Sequence, residues 1–259
     1  MIDLHNHVLP GIDDGAADMA ESVGMCRIAA SEGIRVIVAT PHSFDGDHVT
    51  APNVIVSMVK SLNDAVQREG LDLRILPGME IRVVPELLEL LLAGRLLALN
   101  HGRYLLLEFQ HAHVPAGFER LVGLLKEAGY GIVLGHPEKN LRIQRDREYL
   151  PKLMSSIEPW DLIIQISADS LTGSAGPDAC KTARFLMKKG LVHVIATDAH
   201  SVTTRPPVLS EALADASRIV GQSRVQQMLC DVPLAILNGI GFPQLEEVVK
   251  PRRWWQIFS

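Results

Sequence analysis

Ile2-Asp3-Leu4-His5-Asn6-His7 is a short, largely apolar run that ends in two histidines two positions apart. As a buried strand it sends both imidazoles off one face, because side chains alternate along a strand. Imidazole is a common ligand of divalent transition metals, so two such groups aimed together define a candidate metal site. The same ending recurs down the chain. Apolar runs over 34–39, 71–76, 104–109, 130–134 and 191–196 carry or lead into His42, Glu80, Glu108, His136 and the pair Asp198 and His200. A seventh run, 161–166, ends in Ser167-Ala168-Asp169-Ser170. The expectation is one metal cluster built from the strand ends.

The segments between these runs read as helices. Asp18 and Glu21 make a capping box for a stripe of Met19, Val23, Cys26 and Ala30 that Gly33 closes. Further helices are expected over about 52–69, 85–92, 115–128, 145–157, 177–189 and across 206–238. Continuously apolar strands belong to a parallel sheet covered on both faces. About seven strand-helix units with no visible linker favour a closed or nearly closed parallel α/β barrel, whose functional groups sit at the carboxyl ends of its strands. A chain of 259 residues with 47% hydrophobic content suits one such domain. It is assigned to 1–249, followed by a basic and aromatic tail at 250–259.

Composition removes several classes. A net charge of −5 and a pI near 6.1 argue against a nucleic-acid partner. Cys26, Cys180 and Cys230 show no C-x-x-C spacing, so disulfides and zinc ribbons are not expected and a reducing, cytoplasmic setting fits. The chain opens on a strand rather than a basic and apolar leader, and no run is long enough to span a bilayer. Six positions after each cysteine stand Glu32, Leu186 and Ile236. The thiolate and arginine loop of cysteine phosphatases is therefore absent, as are the serine elbow, the P-loop and the dinucleotide fingerprint.

Each candidate ligand has a plain alternative. His42 suits a turn, His136 a helix cap, Asp198 an N-cap, and Glu80 a pair with Arg82. Their joint recurrence at strand ends is harder to reach by coincidence. Glu108, amid leucines, would cost several kcal/mol if unpaired and needs a cation. Asp14, in Leu9-Pro10-Gly11-Ile12-Asp13-Asp14-Gly15, competes with Asp13. His48, His101, His111 and His193 are expected to be structural, His193 within a strand, whereas His113 is placed at the cavity rim. Three divalent ions carry +6 against −4 from Asp14, Glu80, Glu108 and Asp198, a surplus of +2 that would attract an anion. Paired ions about 3.5–4 Å apart can activate water and clamp an in-line displacement at phosphorus, with cationic side chains adding stabilisation.

His5-Asn6-His7, Thr40-Pro41-His42, Pro77-Gly78-Met79-Glu80, Gly135-His136-Pro137-Glu138 and Thr197-Asp198-Ala199-His200 resemble the signature of the polymerase and histidinol phosphatase (PHP) superfamily. Leu9 to Gly15 and Leu107-Glu108-Phe109 resemble its bacterial branch of metal-dependent protein tyrosine phosphatases of capsule and exopolysaccharide synthesis. The resemblance implies a distorted (βα)7 barrel with three divalent ions, manganese most often, with iron, zinc or magnesium as alternatives. It further implies dephosphorylation of the tyrosine-rich tail of a membrane-associated tyrosine autokinase. By the same resemblance, one ion takes His5, His7, Glu80 and Asp198, a second Glu80, Glu108 and His136, and a third Asp14, His42 and His200. Two arginines of the family meet the phosphate. Arg205 matches one, while the other is replaced by Lys139, with Arg142 as its alternative.

Three rivals remain at this stage. One is a small-molecule phosphatase of the histidinol phosphatase kind, or a nuclease, within the same superfamily. Another is a metal-stabilised docking protein without activity. The third is an amidohydrolase, whose usual fourth-strand lysine is Glu108 here. The tail Lys250-Pro251-Arg252-Arg253-Trp254-Trp255 is expected to fray, with a weak membrane contact at the inner face as its functional alternative.

Overall fold

A computed structural model describes residues 1–158, 160–240, 242 and 245. The proposed tail at 250–259 lies outside the described residues. Seven parallel staves form a ring, and two of them are broken into halves. β1 (Ile2–Asn6) pairs with β2 (Val36–Ala39), and β2 with β4 (Arg74–Pro77). After short breaks the same two staves resume as β3 (His42–Ser43) and β5 (Glu80–Arg82). The ladder then runs through β6 (Tyr104–Glu108), β7 (Gly131–Leu134), β8 (Leu162–Ser167) and β9 (Val194–Ala196). It returns to β1 through a parallel bridge between Asn6 and Ala199 and a 2.9 Å bond from the Asp198 N–H to the His5 carbonyl.

The breaks have residue-level causes. Pro41 has no N–H to give the ladder. At the other break, a Cβ on Gly78 would sit 2.8 Å from Val38 Cγ1, so only glycine lets these staves approach.

Alternation along the staves sorts the core into two layers. Leu4, Val38, Leu76, Leu106, Val133, Ile163 and Val194, one from each stave, fill the barrel interior. Their neighbours, such as Ile37, Ile75, Leu105, Ile132, Ile164 and Ile195, face the outer helices. Those helices include α1 (Met19–Ser31), α2 (Pro52–Arg68), α3 (Phe118–Glu127) and α4 (Pro177–Lys188). Each buried aliphatic contributes about 1.5–3 kcal/mol. Val232, Ile236 and Leu237 of the helix Val232–Asn238 join Tyr104 and Leu99 in closing the amino-terminal end.

Several expected bounds shift. The helix expected over 145–157 is two short ones, Leu141–Arg145, which Asn140 caps through its side chain, and Tyr149–Met154, because the backbone leaves helical geometry at Asp146 between them. The 206–238 segment begins its helix only at Ser210, breaks at Gly221 and passes a π turn at Gln227–Asp231 before Pro233. His193 precedes its strand, and its Nδ1 accepts the Ile164 N–H at 3.0 Å. Among the described residues no helix is long and apolar enough to cross a membrane.

Candidate metal centre

β1 contains one extra residue. Asp3 pairs with Ile37 and Asn6 with Ala39, so three steps on β1 match two on β2. Such a bulge breaks strict alternation. Leu4 therefore packs inside the barrel while His5, next to it, also faces inward, toward Gln165 of β8. Buried Asp3 fixes this geometry by accepting the Thr197 N–H and the Asn6 amide, each at 2.9 Å.

The strand ends then converge. His5 Nε2 lies 3.2 Å from His7 Nε2 and 3.3 Å from Glu80 Oε1. His136 Nε2 meets the same Glu80 oxygen at 2.8 Å, and His42 Nδ1 meets Glu80 Oε2 at 2.9 Å. Asp198 Oδ1 is 3.5 Å from His5 and 3.6 Å from His7. At the rim Asp14 lies 3.4 Å from both His42 Nε2 and His200 Nε2. Glu80 is fully buried beneath them. His136 and Asp198 sit at φ +31° and +53°, left-handed conformations that cost a non-glycine residue on the order of 1–3 kcal/mol.

Three of the imidazoles are oriented from behind. His5 Nδ1 donates to Gln165 Oε1 at 3.0 Å, His7 Nδ1 to Asp13 Oδ2 at 2.7 Å, and His200 Nδ1 to the Asp198 carbonyl at 2.9 Å. Each of these bonds leaves the Nε2 lone pair free to face the cleft, the arrangement by which outer groups orient metal-ligating histidines. Buried Glu80 Oε2 and His42 Nδ1 face each other at 2.9 Å without hydrogen-bond geometry, and neither makes a hydrogen bond to another group among the described residues. Four overlapping groups can hold an ion: His5, His7 and Glu80; His5, His136 and Asp198; His42, Glu80 and Glu108; and His7, Asp14, His42 and His200. The residues present fit divalent cations.

Without ions, charges in the cleft compensate one another. Burial disfavours the ionised forms of Glu80 and Asp198. The facing His5 and His136 on Glu80, and Lys139 and His5 on Asp198, outweigh it and hold both carboxyls well below their usual range. Burial likewise opposes charge on His42, yet Glu108 and Glu80 push it up to about 10; Glu80 pushes His136 up to about 9.

The grouping differs from the expected one at Glu108. Glu108 does not meet His136. Its Oε1 accepts from Arg82 Nε and Nη2 at 2.9 Å and lies 3.5 Å from His42 Nδ1. The cation that Glu108 requires is therefore Arg82, which does not pair with Glu80. Asp13 and Asp14 divide the work: Asp14 faces the rim, while Asp13 holds His7 and the His42 N–H. Gly15 permits this loop, since a Cβ there would lie 2.1 Å from the His7 carbonyl.

The cations also separate. Lys139 Nζ bonds Asp169 and Asp198 at 2.9 Å each, and Arg205 Nη2 bonds Asp198 Oδ2 at 2.7 Å; both side chains line the cleft. Arg142 does not reach it: the guanidinium stacks over Tyr149 at 5.4 Å. His113 is not at the rim either, because Asn140 binds its carbonyl and turns that loop, leaving His111 to line the cleft. Asp13, Gln165, Arg82 and Asp169 escaped the sequence reading. Of these, Asp13 gave a signal as the rival of Asp14, Arg82 as a partner for Glu80 and Asp169 as part of a strand ending, while Gln165 gave none. All three cysteines are free, and burial pushes the Cys26 thiol up to about 12.

Residues 1–238 match the family described as capsular polysaccharide synthesis, CpsB/CapC. The chain is 35% identical to the tyrosine-protein phosphatase YwqE of Bacillus subtilis, over the full length of both. A crystal structure from a study of YwqE of B. subtilis and CpsB of Streptococcus pneumoniae, described there as metal-dependent tyrosine phosphatases, superposes with a TM-score of 0.88. It is 36% identical, over 97% of this chain and 100% of that one. Histidinol phosphate phosphatase of Lactococcus lactis shares the fold, with a TM-score of 0.54 and 13% identity over 94% of this chain and 95% of that one. This chain belongs to the CpsB/CapC family.

Proposed function

We propose that this CpsB/CapC-family chain is a metal-dependent protein tyrosine phosphatase, a phosphoric monoester hydrolase of capsular or exopolysaccharide synthesis. Its substrate is phosphotyrosine on the tail of a membrane-associated tyrosine autokinase, met at the inner face of the membrane. The observation that carries this is the meeting of five imidazoles and four carboxylates in one cleft, with Arg205 and Lys139 on its wall.

His5, His7, Asp14, His42, Glu80, Glu108, His136, Asp198 and His200 would hold three divalent ions, manganese first among them. Bound there, such ions supply an activated water and neutralise charge on the phosphoryl oxygens. The chain's own groups do the rest. Asp13, Gln165 and the Asp198 carbonyl keep three imidazoles in the lone-pair-inward tautomer. Arg205 offers a planar fork to two phosphate oxygens, whereas Lys139 contributes a point charge. The apolar interior beneath Glu80 keeps water from the cleft floor.

The test compares kcat/KM on a phosphotyrosine peptide, histidinol phosphate and single-stranded DNA, before and after chelation and after Mn²⁺ addition. Preference for the peptide, lost on chelation and restored by Mn²⁺, is the expected result. Preference for either other substrate overturns the assignment.

A further inference from the structure

The cleft has a larger neighbour. A second cavity of about 550 Å³ lies beyond a wall made by Lys139 and Arg205, against about 210 Å³ for the cleft. Both side chains line both spaces. The second cavity contains none of the nine candidate ligands. It presents hydroxyls of Thr172 and Thr204 and the carboxylates of Asp169 and Glu211.

Its charge can be resolved group by group. Lys139 is already shared between Asp169 and Asp198, and Arg205 is bound to Asp198. Glu211, exposed in the first turn of the helix Ser210–Val220, has no ion-pair partner among the described residues. In the lining Lys139 and Arg205 balance Asp169 and Glu211, and Glu211 is the lining carboxylate with no cation tied to it, so it is the negative group this cavity offers a ligand while the cleft is the anion-binding space. Consecutive Cα atoms lie about 3.8 Å apart, so the residue beside a phosphotyrosine held in the cleft can reach a cavity that shares the Lys139 and Arg205 wall.

We propose that this cavity is the subsite for the residue flanking the phosphotyrosine, and that Glu211 makes it favour lysine or arginine there over an acidic side chain. The proposal rests on the phosphatase assignment and adds a substrate preference to it. A cavity of this volume falls within the usual range for ligand pockets and has room for a long side chain. Small aryl phosphates have no flanking residue and do not sense it.

The experiment uses phosphopeptides that differ only in the residues beside phosphotyrosine, lysine, serine or glutamate, with p-nitrophenyl phosphate as control. At low salt the lysine peptide is expected to exceed the glutamate peptide by about fivefold in kcat/KM, as for one partly exposed ion pair. Glu211→Gln flattens the preference and Glu211→Lys inverts it. Turnover of p-nitrophenyl phosphate stays within about twofold in both variants, and added salt erodes the difference. Equal kcat/KM on the three peptides, or a lysine preference that survives Glu211→Lys, overturns the subsite. If neither compound is turned over, the phosphatase assignment fails separately. Calorimetric titration of the same phosphopeptides then decides: a Kd preference inverted by Glu211→Lys retains the subsite, and equal Kd values remove it.

Discussion

The two ends of the barrel are made of opposite materials. Toward the amino-terminal end, each stave gives one aliphatic side chain, from Leu4 round to Val194, and the helix Val232–Asn238 closes the space with Val232 and Ile236. At the carboxyl-terminal mouth the same staves give His5, His42, Glu80, Glu108, His136 and Asp198, with Gln165 behind them, crowded and largely buried. Burial stabilises the first end, where each group loses only water. At the mouth it opposes folding, because buried carboxylates and left-handed His136 and Asp198 must be offset by partners. Stability resides at one end and chemistry at the other, so substitutions at the two ends should separate cleanly.

The largest effect is expected from Glu80→Gln. Glu80 is the group that His5, His7, His42 and His136 all approach, and removing its charge should lower kcat/KM at least about a thousandfold, roughly 4 kcal/mol. Intact turnover would reverse the division between the ends. Ile163→Ala probes the apolar end. It should cost about 2–5 kcal/mol in chemical unfolding while the folded fraction keeps its metal content; loss of metal without loss of stability would break the separation.

Asp13→Asn sharpens the boundary between the two, since Asp13 touches no proposed ion and holds His7 and the His42 N–H from behind. Metal affinity, followed by competition with a chelator, should fall about 10- to 100-fold. An unchanged affinity would assign the tautomer of His7 to another cause.

His193, on the outside of the barrel beside Trp160, gives a pH test away from the mouth. Burial and the charge of Arg224 lower it to about 4. The unfolded chain binds its proton near 6.5 and the folded chain only near 4. His193 therefore supports the fold fully above pH 6.5, and that support drains away as pH falls to 4. His193→Gln should flatten the stability curve by about 3 kcal/mol across that window. An unchanged slope would show that the ring titrates normally. The smallest effect is expected from Arg142→Ala, which should leave kcat/KM within about twofold because the guanidinium lies over Tyr149, outside the cleft.

Much of this was legible in the chain. The apolar runs and their endings mark the staves, because a parallel strand covered on both faces has no polar position until it emerges. Ligands at those endings follow from the same rule, and the resemblance supplied Asp14. What stayed hidden depends on contacts across the ring. The β1 bulge appears only when Asp3 and Asn6 are set against β2, and Gln165 and Arg82 read as ordinary polar residues until His5 and Glu108 stand beside them. Arg142 was a plausible cation because it follows Lys139 by three, yet Asn140 caps a helix between them and turns its side chain outward.

The central claim is that the mouth is a cation site on which hydrolysis depends. Elemental analysis of the purified protein, run beside phosphotyrosine hydrolysis with and without chelator, tests it most directly. The account predicts three divalent ions per chain, loss of turnover in step with their removal and recovery with Mn²⁺. Full turnover in a chain stripped of metal would contradict it.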